Sequence, residues 1–265
     1  MSPNPVTQYD FFLGGHDLEM VTIRELLEKE ALGRIFDKHL SWGAKASDYS
    51  KEITDCLSQG RIPVLIELDD DLGMDGQGIV VVDHHGRQAG ADKPTSLHQV
   101  FHLLGLPEAK WTRWHTLVAA NDRGHIPELL KVGATREEVI QIRAADRRAQ
   151  GITEEEEEAT RINVSQAQTL AGGRLTVIYL PHSKTAAAAD RMELALGGSG
   201  YRNLLVISPK ETNFFGEGKI IEALKQTFPE SWSGGALPER GFWGIASRQE
   251  EVLPFLVDLL NRSDG

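Results

Sequence analysis

The stretch Gly78-Ile79-Val80-Val81-Val82-Asp83-His84-His85-Gly86 constrains this chain more than any other. A run of β-branched residues with a glycine at each end reads as a short strand buried on both faces, the pattern of a parallel sheet. Open α/β sheets place their sites at the carboxyl ends of such strands. There this strand delivers one carboxylate and two imidazoles, a grouping that packing does not call for and that metal and proton chemistry uses. Neighbouring side chains on an extended chain point opposite ways, so His84 and His85 divide their tasks. One is placed to ligate a metal while the other faces the substrate or the protein.

At 265 residues, 40% hydrophobic and 25% charged, the chain has the make-up of an ordinary soluble globular protein of two modest domains or one large one. No apolar run approaches a membrane span, and Met1-Ser2-Pro3-Asn4-Pro5 lacks a charged and apolar signal segment. The single cysteine, Cys56, precludes an internal disulfide and fits a reducing cytoplasm, which is the expected location. Its place in a helical pattern over residues 51–59 makes it a core residue rather than a nucleophile. A net charge of -11 argues against a general binder of long nucleic acid, which needs clustered Lys and Arg. A small phosphorylated ligand needs only a few local cations and a metal.

Taken in order, residues 9–13 read as a strand closed by Gly14-Gly15. His16, Asp17 and Glu19 then open a helix with Met20, Ile23, Leu26 and Leu27 at helical spacing. Asp17 and Glu19 suit the positive end of a helix, and equally could face a metal. Residues 64–68 read as a second buried strand, ending in Asp69-Asp70-Asp71. Glu67 and Asp69 are the acids this strand offers, alternation pointing both to the same side. Residues 96–104 form a helix carrying His98 and His102 on one face, read as ordinary helix residues. Residues 111–120 form another helix, followed by Asn121-Asp122-Arg123-Gly124-His125, read as a turn that offers Asp122. A helix over 137–148 ends in Arg143, Arg147 and Arg148.

Gly151 breaks the pattern, and Thr153 can cap the Glu-rich helix that follows. This gives domains of 1–150 and 151–265. The second has its own αβ rhythm: strands over 175–180 and 203–207, helices over 190–196 and 219–228, and a final helix through 252–260. Between the last two helices lies the Gly-rich run of residues 232–244. Backbone amides of glycines can converge on an anion there.

Asp83-His84-His85 at a strand end, with carboxylates before and after it, resembles the signature of the DHH phosphoesterase superfamily, metal-dependent hydrolases of phosphoesters and phosphoanhydrides. The Gly-rich run resembles the glycine motif of the domain found beside DHH domains, without the alanines that usually follow. The fold so implied is α/β: an N-terminal domain with a parallel sheet, a smaller C-terminal α/β domain, and an active-site cleft between them.

The resemblance also implies roles. Asp17 and Asp69 would hold one ion, and Glu19, Asp69, His84 and Asp122 the other, the ions being Mn2+ or Mg2+. Asp83 would orient His84, and His85 would contact the scissile phosphate. Gly234, Gly235 and Arg240, with His182, Lys184 and Arg248, would grip the rest of the substrate. The superfamily's first motif begins with a His where this chain has Leu13, with His16 nearby. The implied activity is therefore that of a manganese-dependent phosphodiesterase or phosphohydrolase acting on a dinucleotide, cyclic nucleotide or short oligonucleotide. The alternative is a weakened relative that binds a nucleotide without cutting it. No long nucleic acid and no membrane are expected as partners, and a homodimer is left open.

Overall fold

The computed structural model describes residues 8–30, 33–41, 43–74, 78–84, 94–235 and 237–262. The chain forms two units, Met1–Gln150 and Gly151–Gly265.

In the first unit, β1 (Tyr9–Leu13), β2 (Arg34–Asp37), β3 (Ile62–Ile66) and β4 (Val80–Val82) make a wholly parallel sheet in the order β2-β1-β3-β4. Strand side chains alternate between faces. Phe12 and Leu65 accordingly share a core with Tyr49 and with Ile53 and Cys56 of α2 (Ser50–Ser58). Phe12 stacks on Phe36 at 4.8 Å and meets Tyr49 edge-on at 5.5 Å. Cys56 lies in this core, its thiol pushed up to about 12 by burial and then by Asp10, which suits packing and not nucleophilic attack.

The helical part comprises α1 (Leu18–Glu30), α3 (Ser96–Leu103), α4 (Arg113–Lys131) and α5 (Arg136–Ala149), with α1 touching each of the other three. Thr112 opens α4 by accepting from the amide of His115. The helix does not stop at the turn expected over 121–125. It breaks at Gly124 and at His125, whose φ is 52°, and then resumes to Lys131.

The strand order places the site. From β1 the chain adds β2 on one side and then returns to lay β3 on the other. The topological reversal therefore falls between β1 and β3, and open α/β sheets bind their ligands outside the carboxyl ends at such a reversal. Register aligns those ends, Leu13 opposite Ile66 and Ile66 opposite Val82. Residues just beyond 13, 66 and 82 are thereby delivered to one edge.

The second unit has a mixed sheet in the order β5-β6-β7-β8-β10-β9, built from Gln168–Leu170, Leu175–Tyr179, Leu204–Ile207, Glu211–Glu217, Arg240–Ala246 (β10) and Trp232–Gly234 (β9). On one face Val177, Leu205, Phe214 and Trp243 pack with Ile221 and Leu224 of α8 (Gly218–Thr227) and with Val252 and Leu256 of α9 (Gln249–Arg262). On the other, Ile178, Leu204 and Val206 pack with Ala188 and Met192 of α7 (Ala186–Met192). Thr153 caps α6 (Glu154–Ser165) by accepting from the amide of Glu156. Among the described residues no helix is long and apolar enough to cross a membrane.

Candidate metal centre

Beyond β1 the chain must pass close to the end of β3, and Gly14 permits it. Its amide donates to the carbonyl of Ile66 at 2.8 Å, and a Cβ at this position would stand 2.2 Å from the carbonyl oxygen of Glu67. Asp17 then caps α1, its Oδ1 accepting from the amide of Met20 at 2.9 Å. Glu19 follows within the first turn and is buried. Its Oε1 accepts from the amide of Leu97, in the first turn of α3, at 3.0 Å.

Beyond β3 comes a departure from the sequence expectation. Glu67 adopts a left-handed φ of 53°, uncommon for a residue with a side chain, and its amide donates to the carbonyl of Val82 at 2.8 Å. Strand alternation therefore ends at Ile66. Glu67 turns toward the site, Leu68 enters the core, and Asp69 is exposed, its backbone hydrogen-bonded to Ala44 and Ala46. The acid that β3 brings to the cluster is Glu67, where Asp69 was favoured.

Beyond β4 stands His84, buried. Its Nδ1 accepts from the amide of Ser96 at 3.3 Å and lies 3.2 Å from the Ser96 hydroxyl. The same nitrogen faces Glu67 Oε1 at 3.5 Å and Glu19 Oε2 at 3.9 Å, while Nε2 is 2.5 Å from Asp122 Oδ2. One ligand atom from each of Glu19, Glu67 and His84 lies within 4.8 Å of the others. Two of these side chains, Glu19 and His84, are thus oriented by the free amides that open α3, a role for Ser96 and Leu97 that nothing in the sequence singles out.

Charge is concentrated at this point. Asp17 is pushed up to about 7, first by burial and then by the charges of Glu67 and Asp122. Glu19 is held well above the usual carboxylate range by burial and then by Asp122 and Glu67, against hydrogen bonds from Thr95 and Leu97. Glu19 Oε2 is buried and accepts no hydrogen bond among the described residues. Converging carboxylates with such an oxygen fit a cation, which would satisfy the oxygen and offset the repulsion. Carboxylate oxygens with one imidazole suit Mn2+ or Mg2+ better than a thiolate-seeking metal.

The remaining predicted residues divide clearly. Asp83 follows β4, and its carbonyl accepts from Gln99 Nε2 at 2.9 Å; the ring of His84 is held by Ser96. His85 lies outside the described residues. His16 is exposed and stands edge-on to His39 at 5.3 Å, beside a cavity of about 260 Å³. Leu13 is fully buried. His98 stacks on Trp111 at 4.1 Å and is pushed down to about 4, chiefly by burial. Arg123 is exposed, and His125 lies 3.0 Å from Arg143.

In the second unit, Gly234 ends β9 and Gly235 turns the chain at φ 96°. A Cβ on Gly235 would stand 2.8 Å from Gly241. Arg240 is exposed, donates to the carbonyl of Arg202 at 3.1 Å and lies over the ring of Tyr201. The ring of His182 is engaged internally, at 3.0 Å from the carbonyl of Glu156 and 3.2 Å from the amide of Lys184, itself half-buried. Arg248 is paired with Glu251 at 2.7 Å and with Glu230. Those two carboxylates compete with any phosphate for its guanidinium.

The chain superposes on an exopolyphosphatase-related protein from Bacteroides fragilis with a TM-score of 0.53 at 11% identity, covering 97% of this chain and 92% of that one. Exonuclease RecJ bound to manganese superposes with a TM-score of 0.48 at 13% identity, covering 96% of this chain and 89% of that one. RecJ in complex with Mn2+ from Thermus thermophilus gives 0.48 at 14% identity, and this chain spans about half its length, 52%. No protein-family profile matches the sequence, and no curated protein does. The first of these likenesses establishes a shared fold.

Proposed function

We propose that this chain, which has the fold of the DHH superfamily, is a metal-dependent phosphoesterase acting on a small phosphorylated nucleotide. The observation that carries this reading is the meeting of Glu19, Glu67 and His84 beyond the carboxyl ends of β3 and β4, with Asp122 against the far side of the imidazole. In this proposal Asp17, Glu19, Glu67, His84 and Asp122 hold Mn2+ or Mg2+, with two ions as the full complement. A bound divalent cation would lower the pKa of its water toward neutrality and offset charge on a phosphoryl group.

The chain's own residues would do the rest. Asp17 and Glu19, fixed by the N-termini of α1 and α3, hold their carboxylates in place before any ligand arrives. Asp83 and His85 belong to the same proposal, His85 as the phosphate contact. Gly234, Gly235 and Arg240, with Lys184, are the proposed grip on the remainder of the substrate. An acidic chain favours small substrates over long nucleic acid. Dinucleotides, cyclic nucleotides and short oligonucleotides head the panel, and inorganic polyphosphate joins it because of the fold shared with the Bacteroides fragilis protein.

A second reading has one observation in its favour. Leu13, an apolar and fully buried residue, ends β1 where the superfamily's first motif carries a His. A centre short of that ligand could bind a nucleotide without turning it over. The test is product release from this panel by the purified chain with Mn2+, compared with His84→Ala. Metal-dependent hydrolysis that collapses in the variant supports the enzyme. Tight nucleotide binding with no product from any of them would replace it with the binding protein.

A further inference from the structure

One buried ion pair outside the acid cluster touches the flanks of the carboxylates on two separate elements. Arg143 and Asp146, one turn apart on α5, pair at 2.9 Å with side chains 3% and 4% exposed. Asp146 Oδ1 accepts from the amide of Leu18 at 3.2 Å. Leu18 lies between Asp17 and Glu19. Arg143 Nη1 donates to Asn121 Oδ1 at 2.8 Å and lies 3.0 Å from Nδ1 of His125. Those two residues bracket Asp122, Asn121 before the break in α4 and His125 within it. Gln150 closes the group by donating to Asp146 Oδ2 at 3.0 Å.

We propose that the Arg143–Asp146 pair is a positioning device: it sets the separation between the Asp17–Glu19 segment and Asp122, and through that the affinity of the centre for its metal. This rests on the metal-centre reading given above. Two physical arguments favour it over a purely stabilising role. Taking an ion pair out of water costs about as much as the pairing returns, and well-packed apolar residues commonly serve stability as well or better. Helix α4 also carries a break at Gly124 and His125, two residues after Asp122, where helical geometry no longer fixes the chain. Arg143 holds Asn121 before that break and His125 within it, and so supplies the missing constraint. Groups that hydrogen-bond a metal ligand typically govern affinity by about 10–100-fold, and this pair bonds the backbone and side chains next to two of them.

The test is calorimetric titration of the full chain with Mn2+, alongside its melting temperature. The variants are the double substitution Arg143→Met with Asp146→Leu, the single Arg143→Lys, and Glu137→Gln as a control on the exposed face of the same helix. A double variant that melts near the parent temperature yet binds Mn2+ at least about tenfold more weakly supports the positioning role. Equal affinity in a folded double variant overturns it. Should the double variant fail to fold, Arg143→Lys decides by the same criterion, since it keeps the charge but exchanges the planar guanidinium, whose Nη1 meets Asn121, His125 and Asp146, for a flexible ammonium on a different stem. Failure of the parent chain itself to bind Mn2+ would overturn the metal-centre reading instead, and is seen before any variant is compared.

Discussion

His84 Nε2 lies 2.5 Å from Asp122 Oδ2, so the imidazole that leaves β4 meets the acid that α4 delivers shortly before its break. The opposite nitrogen of the same ring looks toward Glu67 and Glu19. One imidazole therefore joins two acidic groups that come from different parts of the fold. Removing it separates them. His84→Ala is expected to weaken Mn2+ binding by about 100-fold or more, beyond the 10–100-fold range seen for partners that do not touch the metal. Titration of the variant with Mn2+ checks this, and parental affinity would remove His84 from the centre.

The exchange of Glu67 for Asp69 separates two acids that a reading of the strand alone would treat alike. Glu67→Gln keeps the size and loses the charge that faces His84 Nδ1 at 3.5 Å. It is expected to cost at least about tenfold in Mn2+ affinity. Asp69→Asn changes an exposed side chain and is expected to leave affinity within about twofold, as surface substitutions usually do. The reverse ranking would restore Asp69 as the ligand.

Gly14 ties the packing of the sheet to the site. A methyl group there would meet the carbonyl of Glu67 at 2.2 Å, and backbone cannot swing aside as a flexible side chain would. Gly14→Ala is expected to lower stability by about 1–3 kcal/mol, the usual cost of forcing extra volume into a packed position. It is also expected to weaken Mn2+ binding, because the strained segment carries Glu67. Denaturant unfolding and titration on the same preparation measure both effects. An unchanged unfolding midpoint would show that the exits of β1 and β3 can part at no cost.

Much of this was legible in the sequence because the relevant signals are local. The strand over residues 80–82 and the helix that Thr153 caps follow from β-branching and capping, which neighbours in sequence determine, although of the strand expected to be buried on both faces only Val82 is buried. Asp17, Glu19 and His84 could be picked out because each stands at an element boundary, whereas Asp122 lies inside α4, just before its break. What could not be read is what depends on conformation or distance. The left-handed turn at Glu67 reverses which acid faces inward, and glutamate carries no sign that it will adopt it. The β9–β10 hairpin was hidden because glycines interrupt the alternation of Phe242, Trp243 and Ile245, and the run reads as a loop. Ser96, Leu97 and Asp146 reach the site across 12, 78 and 128 residues of chain, separations that no local pattern encodes.

The raised carboxyls give the metal-free protein a pH dependence with a definite sign. Asp17 titrates near 3.8 when unfolded and at about 7 when folded, so between those values the folded state holds the proton that the unfolded state has lost. Its contribution to stability is therefore fully present below the unfolded value and falls as pH rises toward 7. His98 acts in the opposite sense, because its folded value is pushed down to about 4 and the unfolded chain binds the extra proton above that. The two are separated by comparing the parent with Asp17→Asn in chelator. The variant cannot charge at this position, so its melting temperature should rise relative to the parent as pH climbs from 4 to 7, by an amount corresponding to roughly 2–4 kcal/mol. Binding a divalent cation requires the same carboxylates deprotonated, so Mn2+ affinity of the parent should strengthen over the same interval with release of protons. A melting-temperature difference that stays flat with pH would show that Asp17 is not crowded by Glu67 and Asp122 in solution.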